Sequence, residues 1–178
     1  MLYLDMDGVL MDFDGQRKRY MSPWESRHYH HLPKTEWTEE EKARDAELHK
    51  VMAMHDFWTT MRPMPDAYVL WTYCRPLLPH VLTATPNNIT YRDRCATDKA
   101  NSIRKHFDPV FPQERFHAVL RSDKSKFAYE GHPQGNVRNV LVDDHPANCA
   151  EWEAAGGTAI IHHDALTTIR KLQELYHG

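Results

Sequence analysis

Three aspartates lie close together near the start of the chain, in Asp5-Met6-Asp7-Gly8-Val9-Leu10-Met11-Asp12. The apolar residues 1–4 before them predict a short buried strand that ends in Asp5 and Asp7. Two carboxylates at a strand end are typical of a divalent cation site. Mg²⁺ is the natural candidate, because it prefers hard oxygen ligands. An Asp-Gly pair after a strand is also typical of an ordinary turn, so the choice between a metal site and a turn depends on the remaining motifs.

Polar residues with complementary chemistry follow three later predicted strands. Thr83 ends the second strand, and its hydroxyl can donate to a phosphoryl oxygen. Lys124 follows the third strand and supplies a cation for developing negative charge. Asp143 and Asp144 end the fourth strand and add carboxylates. Because parallel strands gather their carboxyl ends at one edge of a sheet, we expect these side chains to meet Asp5.

The elements that must position these residues alternate between strand-like and helix-like patterns. Strands are predicted at 80–83, 116–120, 140–142 and 158–161, in addition to the first. Helices are predicted between them, with Gly156-Gly157 ending one helix and Asp164 capping the last. This alternation is typical of the α/β class.

Residues 13–65 differ from the rest, being rich in charge, aromatic residues and histidine. We interpret them as a helical cap inserted after the first strand, with residues 1–12 and 66–178 forming the catalytic core. Thr38 and Glu41 fit a capping box that begins a helix extending to about His55. Asp12 fits a structural role, capping the segment that leads into the insertion.

Composition narrows the classes of protein. The chain has 178 residues, of which 41% are hydrophobic, and this is enough for a buried core. A net charge of −3 argues against a dedicated surface for duplex nucleic acid. The three widely spaced cysteines fit reduced thiols rather than disulfides or a zinc site. No apolar stretch has membrane-spanning length, so we expect a cytoplasmic protein. The sequence does not indicate the oligomeric state.

Four motifs occur in order along the chain: the segment from Asp5 to Asp12, Thr83, Lys124 and the pair Asp143-Asp144. As an ordered set, they resemble the motifs of the haloacid dehalogenase (HAD) superfamily of phosphatases. The resemblance is strongest to 5′(3′)-deoxyribonucleotidase-like and phage-type members. It includes Asp56-Phe57-Trp58, Pro63-Met64-Pro65-Asp66-Ala67, and Val142-Asp143-Asp144 followed by Asn148, Trp152 and Gly156-Gly157. The resemblance implies a Rossmann-like, three-layer parallel sheet and a reaction through a phosphoaspartyl intermediate.

The resemblance also assigns roles to the acidic residues. Asp5 attacks phosphorus, while Asp7 protonates the leaving alcohol and later deprotonates the attacking water. Mg²⁺ takes a carboxylate oxygen of Asp5, the backbone carbonyl of Asp7 and one carboxylate of the later pair. We favour Asp144 as the direct ligand, but Asp143 remains an alternative, binding directly or through water.

The remaining core residues are expected to hold the phosphoryl group. Thr83 and the backbone amide of Ala84 bind its oxygens, with the amides of Asp7 and Gly8 nearby. Lys124 is preferred to Lys126 as the phosphate lysine, because its spacing before Phe127-Ala128 matches related sequences.

The expected substrate is a small phosphate ester, with a (deoxy)nucleotide monophosphate as the leading candidate. Arg17, Arg19 and Arg27 are candidate contacts for its base or a second phosphate, although they also fit a solvated helix face. Sugar phosphates and nucleic-acid terminal phosphates are alternatives. A carbon–halogen hydrolase would not need Asp7. A phospho-acceptor module without turnover is disfavoured, because its phosphorylated aspartate follows a later strand.

Overall fold

The computed structural model describes residues 1–21, 34–129 and 138–177. The first half contains β1 (Leu2–Leu4), α1 (Phe13–Tyr20), α2 (Glu39–Met52), α3 (His55–Thr59), α4 (Ala67–Cys74), β2 (His80–Thr85) and α5 (Ile89–His106). The second half contains β3 (Phe116–Leu120), β4 (Val140–Asp143), α6 (Pro146–Ala154), β5 (Thr158–Ile161) and α7 (Ala165–His177). A 3₁₀ segment, Arg121–Ala128, follows β3 directly.

The strands form a parallel sheet in the order β3-β2-β1-β4-β5. In β1, Leu2 and Leu4 belong to one hydrophobic cluster, whereas Tyr3 belongs to a second cluster. Because successive side chains of a strand point to opposite faces, both faces of the sheet are buried. This is the predicted α/β, three-layer parallel architecture, with β1 at the centre.

Helices cover the two faces separately. The second cluster includes Trp152 of α6 and Ala128 of the 3₁₀ segment. The first cluster includes Trp71 of α4, Ile103 of α5 and Leu172 of α7. The polar strand ends therefore lie at the edge of a rigid, dry sheet.

The chain leaves β1 and returns through adjacent segments. Asp12 N donates to Arg62 O at 2.7 Å, and Met64 N donates to Leu10 O at 3.0 Å. Helices α1–α3 lie between these points, so they form an excursion after the first strand. The sequence placed its boundaries at 13 and 65, and their assignment as a cap stays a prediction.

The predicted helix ends are borne out at three positions. Thr38 and Glu41 form the reciprocal capping box of α2, which ends at Met52 rather than about His55. Asp12 caps α1 by accepting from Gly15 N at 2.8 Å. Asp164 accepts from Thr167 N at 2.8 Å at the start of α7.

Candidate active site

The loop after β1 begins at Asp5, whose backbone N–H donates to Val142 O at 2.8 Å and so continues the pairing with β4. Gly8 has a φ of 77°, and its N–H donates to Met11 O at 2.8 Å. This tight turn returns the chain over the sheet edge. The apolar residues of the turn, Val9, Leu10 and Met11, are fully buried and anchor it.

Lys124 joins two of the predicted carboxylates. Its Nζ lies 2.9 Å from Asp5 Oδ1 and 2.8 Å from Asp143 Oδ2, and its side chain is 4% exposed. Burial alone would lower the pKa of Lys124, but Asp5 and Asp143 outweigh it and raise the pKa above its usual value. Burial also raises the pKa of Asp5, against the opposing charge of Lys124. We assign the proton to Lys124, because its amino group contacts two carboxylates. Asp5 is then an anion.

Asp143 has partners on both oxygens. Oδ1 accepts from His145 N at 2.8 Å and from Asn148 Nδ2 at 3.1 Å. Oδ2 accepts from Lys124 Nζ at 2.8 Å and from Asn148 Nδ2 at 3.0 Å. Asp143 is completely buried, and its hydrogen bonds fix Lys124 against Asp5. This environment suits an anchoring carboxylate.

Asp144 lies in a different environment from Asp143. Burial of its carboxyl group, together with the negative charge of Asp143, raises the pKa of Asp144 to about 6. Oxygens of Asp5, Asp143 and Asp144 all lie within 4.8 Å of one another. Such a cluster of hard oxygen ligands fits Mg²⁺, and a cation there would relieve the repulsion that raises the pKa of Asp144.

The carboxylate of Asp7 is directed elsewhere. Asp7 Oδ2 accepts a hydrogen bond from Lys99 Nζ at 2.6 Å, in an ion pair that the sequence analysis missed. The role of the Asp7 backbone carbonyl as a metal ligand, which the resemblance implied, stays a prediction. The two aspartates of the first motif thus face different lysines, Asp5 facing Lys124 and Asp7 facing Lys99.

An open cavity of about 260 Å³ lies over these groups. Six predicted site residues line it: Asp5, Asp7, Gly8, Ala84, Lys124 and Asp144. It is also lined by residues that were not predicted as site residues: Phe13, Asp14, Arg121, His145 and Asn148. Arg121 bonds Glu151 through two nitrogens, at 3.0 and 2.8 Å, which holds its guanidinium near the cavity wall.

Thr83 is fully buried within β2, which extends two residues beyond the predicted strand end. The extension is explained by β3, which pairs with β2 as far as Thr85. The hydroxyl of Thr83 accepts from Lys99 Nζ at 2.9 Å. Thr83 therefore lies next to Lys99 and is not among the described residues that line the cavity, so its predicted contact with phosphoryl oxygens stays a prediction.

The predicted basic contacts are not part of this cavity in the described residues. Arg17 pairs with Asp14 at 2.6 Å, and Arg19 donates to Gln16 Oε1 at 3.3 Å. Arg19 lines a separate cavity with Asp12 and Arg62. Arg27 lies outside the described residues. A substrate-binding role for these three arginines stays a prediction.

Lys99 could have been identified from a gap in the predicted pattern of α5. In the sequence of α5, Ala96 and Ile103 are apolar, and positions 99 and 100 fall between them at helical spacing. A lysine in the middle of a buried face signals a partner charge.

Solved structures show which known fold this architecture matches. A haloacid dehalogenase-like hydrolase from Streptococcus pneumoniae is similar over 97% of this chain and 90% of its own, with a TM-score of 0.55 and 10% identity. A hydrolase from Pseudomonas syringae is similar over 98% of both chains, with a TM-score of 0.52 and 16% identity. The fold is HAD-like.

A third structure, the HAD hydrolase YfnB from Bacillus subtilis, is described as bound to magnesium. It has a TM-score of 0.50 and 11% identity over 99% of this chain and 98% of its own. No protein-family model and no curated protein sequence matches the chain. None of the described helices is both long enough and apolar enough to cross a membrane. On this HAD-like sheet, β1 and β4 are adjacent. Asp5 follows β1, Asp143 is the last residue of β4, and Asp144 comes directly after it.

Proposed function

We propose that the protein is a Mg²⁺-dependent phosphomonoester hydrolase that works through a phosphoaspartyl intermediate. The observation that carries this proposal is the division of the first motif. Asp5 lies with Lys124 and the acidic cluster, whereas Asp7 lines the same cavity but is held apart by Lys99. Phosphoryl transfer needs a nucleophile and a separate acid–base group on one cavity, and the two aspartates meet both requirements.

Asp5, Asp144 and the backbone carbonyl of Asp7 would hold the metal, with Asp143 fixing Lys124. Bound Mg²⁺ would neutralise charge on the phosphoryl oxygens. Lys124 would add a second positive charge from the other side of Asp5. Together with Lys99, these groups balance the carboxylates at the sheet edge.

The reaction proceeds in two steps. A carboxylate oxygen of Asp5 attacks phosphorus, and the bond from phosphorus to the ester oxygen breaks. Asp7, which enters this step protonated, donates its proton to the departing alkoxide. Asp7 then accepts a proton from water as that water attacks phosphorus, which breaks the acyl phosphate and releases inorganic phosphate. Asp5 and Asp7 return to their starting states.

A (deoxy)nucleotide monophosphate remains the leading substrate. The cavity is lined by Phe13, an aromatic residue of the kind that packs against bases, and by Arg121, whose cation suits an additional anionic or polar group. Its volume of about 260 Å³ favours a small leaving group. Sugar phosphates and terminal phosphates of nucleic acids share the same reacting group and remain competing substrates.

The deciding experiment is a hydrolase screen in the presence and absence of Mg²⁺. The panel contains nucleoside monophosphates, sugar phosphates, a 5′-phosphorylated oligonucleotide, p-nitrophenyl phosphate and a 2-haloacid. We expect Mg²⁺-dependent phosphate release, absent from Asp5→Asn. Halide release without phosphate release would contradict the proposal in favour of a dehalogenase. Wild-type turnover in Asp5→Asn would contradict the phosphoaspartyl mechanism.

A further inference from the structure

We propose that Lys99 is the positioning residue that sets the orientation of the acid–base carboxylate Asp7 and of Thr83. This inference rests on the proposed phosphatase function and names a residue of that site which none of the four motifs contains. Lys99 lies in α5, far in sequence from both groups that it contacts.

The ammonium group of Lys99 has three donor hydrogens and three acceptors. Nζ lies 2.6 Å from Asp7 Oδ2, 2.9 Å from Thr83 Oγ1 and 2.9 Å from Ala84 O. An ammonium donates three hydrogen bonds and accepts none, so this set completes its capacity. Lys99 is therefore fixed at its backbone by α5, and at its ammonium group by the loop after β1 and by β2.

The environment of Lys99 restricts it further. Its side chain is 0% exposed, and Nζ lies 4.7 Å from the centre of the Trp58 ring. Trp58 is held in turn by a hydrogen bond from its Nε1 to Met52 O at 2.9 Å. A buried cation that lost its carboxylate would be costly, so Lys99 and Asp7 constrain each other.

This contact determines which atoms of Asp7 and Thr83 remain for chemistry. Oδ2 of Asp7 is engaged, while Oδ1 is buried with no hydrogen-bond partner among the described residues. In the proposed reaction, Oδ1 is the oxygen left to exchange the proton with the leaving group and with water. Because Lys99 can only donate, Thr83 accepts from it and keeps its own hydroxyl hydrogen to donate elsewhere.

Trp58 also links the contacts of Lys99 to the segment inserted after β1. It lies in α3, within the 13–65 region, and Ser102 of α5 donates to its backbone oxygen at 3.5 Å. Trp58, whose ring lies against Lys99, therefore comes from the inserted segment, whereas the residues that Lys99 contacts by hydrogen bonds come from the core.

The test is the pre-steady-state hydrolysis of p-nitrophenyl phosphate by Lys99→Met. The matched control is Lys105→Met, the same change at an exposed lysine of the same helix. p-Nitrophenolate leaves without a proton, so phosphorylation of Asp5 should remain fast, whereas attack by water requires the base. We expect a burst of one nitrophenolate per active site, then steady turnover slowed roughly 10²-fold. Lys105→Met should behave as wild type.

An alkyl phosphate provides the second readout. Its leaving group needs a proton, so Lys99→Met should slow both steps and show no burst, lowering kcat more than it raises KM. Equal kinetics of Lys99→Met and wild type on both substrates would overturn the assignment. A uniform slowing without a burst on p-nitrophenyl phosphate would do the same, since it indicates general damage to the fold.

Two further comparisons complete the test. If circular dichroism shows that Lys99→Met does not fold, Lys99→Gln replaces it with the same expected burst and the same contradicting outcomes. Adding Lys99→Met to Asp7→Asn should raise Tm above that of Asp7→Asn alone, and a further fall would overturn the pairing.

If the wild type releases no phosphate, or Asp5→Asn still does, the proposed function fails and this inference falls with it. Wild-type kinetics of Lys99→Met in a working enzyme refute the role of Lys99 alone.

Discussion

The backbone of Gly8 lies directly against the carboxylate of Asp144. A Cβ at Gly8 would lie 2.2 Å from Asp144 Oδ2, and the φ of Gly8 is 77°. Glycine is therefore required twice, for the close approach and for the left-handed backbone. The contact holds the loop that carries Asp5 and Asp7 against the carboxylate that we propose as the direct metal ligand.

Gly8→Ala should disable the site. Its Cβ would displace Asp144, so we expect at least a 10²-fold loss of kcat/KM and a loss of at least about 2 kcal/mol in the free energy of unfolding. Steady-state kinetics and thermal denaturation measure both. The control Gly8→Ala/Asp144→Ala removes the carboxylate that clashes but keeps the strained φ, so it should recover part of the lost stability and no activity. No recovery of stability would show that the contact is not the cause.

Lys124 and Lys126 offer a matched pair. Lys124 contacts two buried carboxylates, whereas the side chain of Lys126 is 74% exposed and pairs with Asp123. Lys124→Met should lower kcat/KM by about 10²- to 10³-fold. Lys126→Met should leave kinetics unchanged and alter unfolding by no more than about 0.5 kcal/mol. Comparable losses in the two variants would contradict the assignment of Lys124.

The adjacent aspartates 143 and 144 should separate in their dependence on Mg²⁺. Asp143 holds Lys124 and Asn148, so Asp143→Asn should destabilise the fold and lower kcat. Asp144→Asn should chiefly raise the Mg²⁺ concentration needed for half-maximal activity, by 10-fold or more. Activity titrated with Mg²⁺, together with Tm, distinguishes them. A larger shift of the Mg²⁺ requirement in Asp143→Asn would make Asp143 the direct ligand.

His80 should weaken the fold as the pH falls. Burial lowers its pKa from 6.5 to about 4, with His117, Arg115 and the amino terminus contributing. Between pH 6.5 and 4 the unfolded chain therefore binds a proton that the folded chain does not, and stability declines. The hydrogen bond of 2.8 Å between His80 Nδ1 and His117 Nε2 needs one of the two rings to be neutral, so it is lost when both are protonated.

The measurement is the difference in Tm between wild type and His80→Asn across this pH range. We expect wild type to lose stability relative to the variant as the pH falls. The comparison is needed because Asp144, with its pKa raised to about 6, acts in the opposite direction over part of the range. Exposed His163→Asn is the control, with a constant difference expected. A constant difference for His80→Asn would refute the role of His80.

Local patterns predicted the elements well but the helix faces less well. The apolar stretches before Asp5 and Asp143 correctly predicted strands. Such strands are apolar throughout because both faces of their sheet are buried. In α7, however, the apolar Leu166 is 68% exposed, whereas Thr168 is buried and its hydroxyl forms a hydrogen bond with His162. An apolar stripe cannot reveal a polar side chain that is buried with its own partner.

The sequence by itself determined the order of the motifs, the parallel sheet and the carboxylates at its edge. These follow from local periodicity and from the rule that parallel strands end at one edge. The tertiary structure decided that Asp143 is saturated by Lys124, Asn148 and a backbone amide, and that Lys99 pairs with Asp7. Such pairings depend on burial and on the direction of side chains from separate elements, and no short-range pattern encodes them.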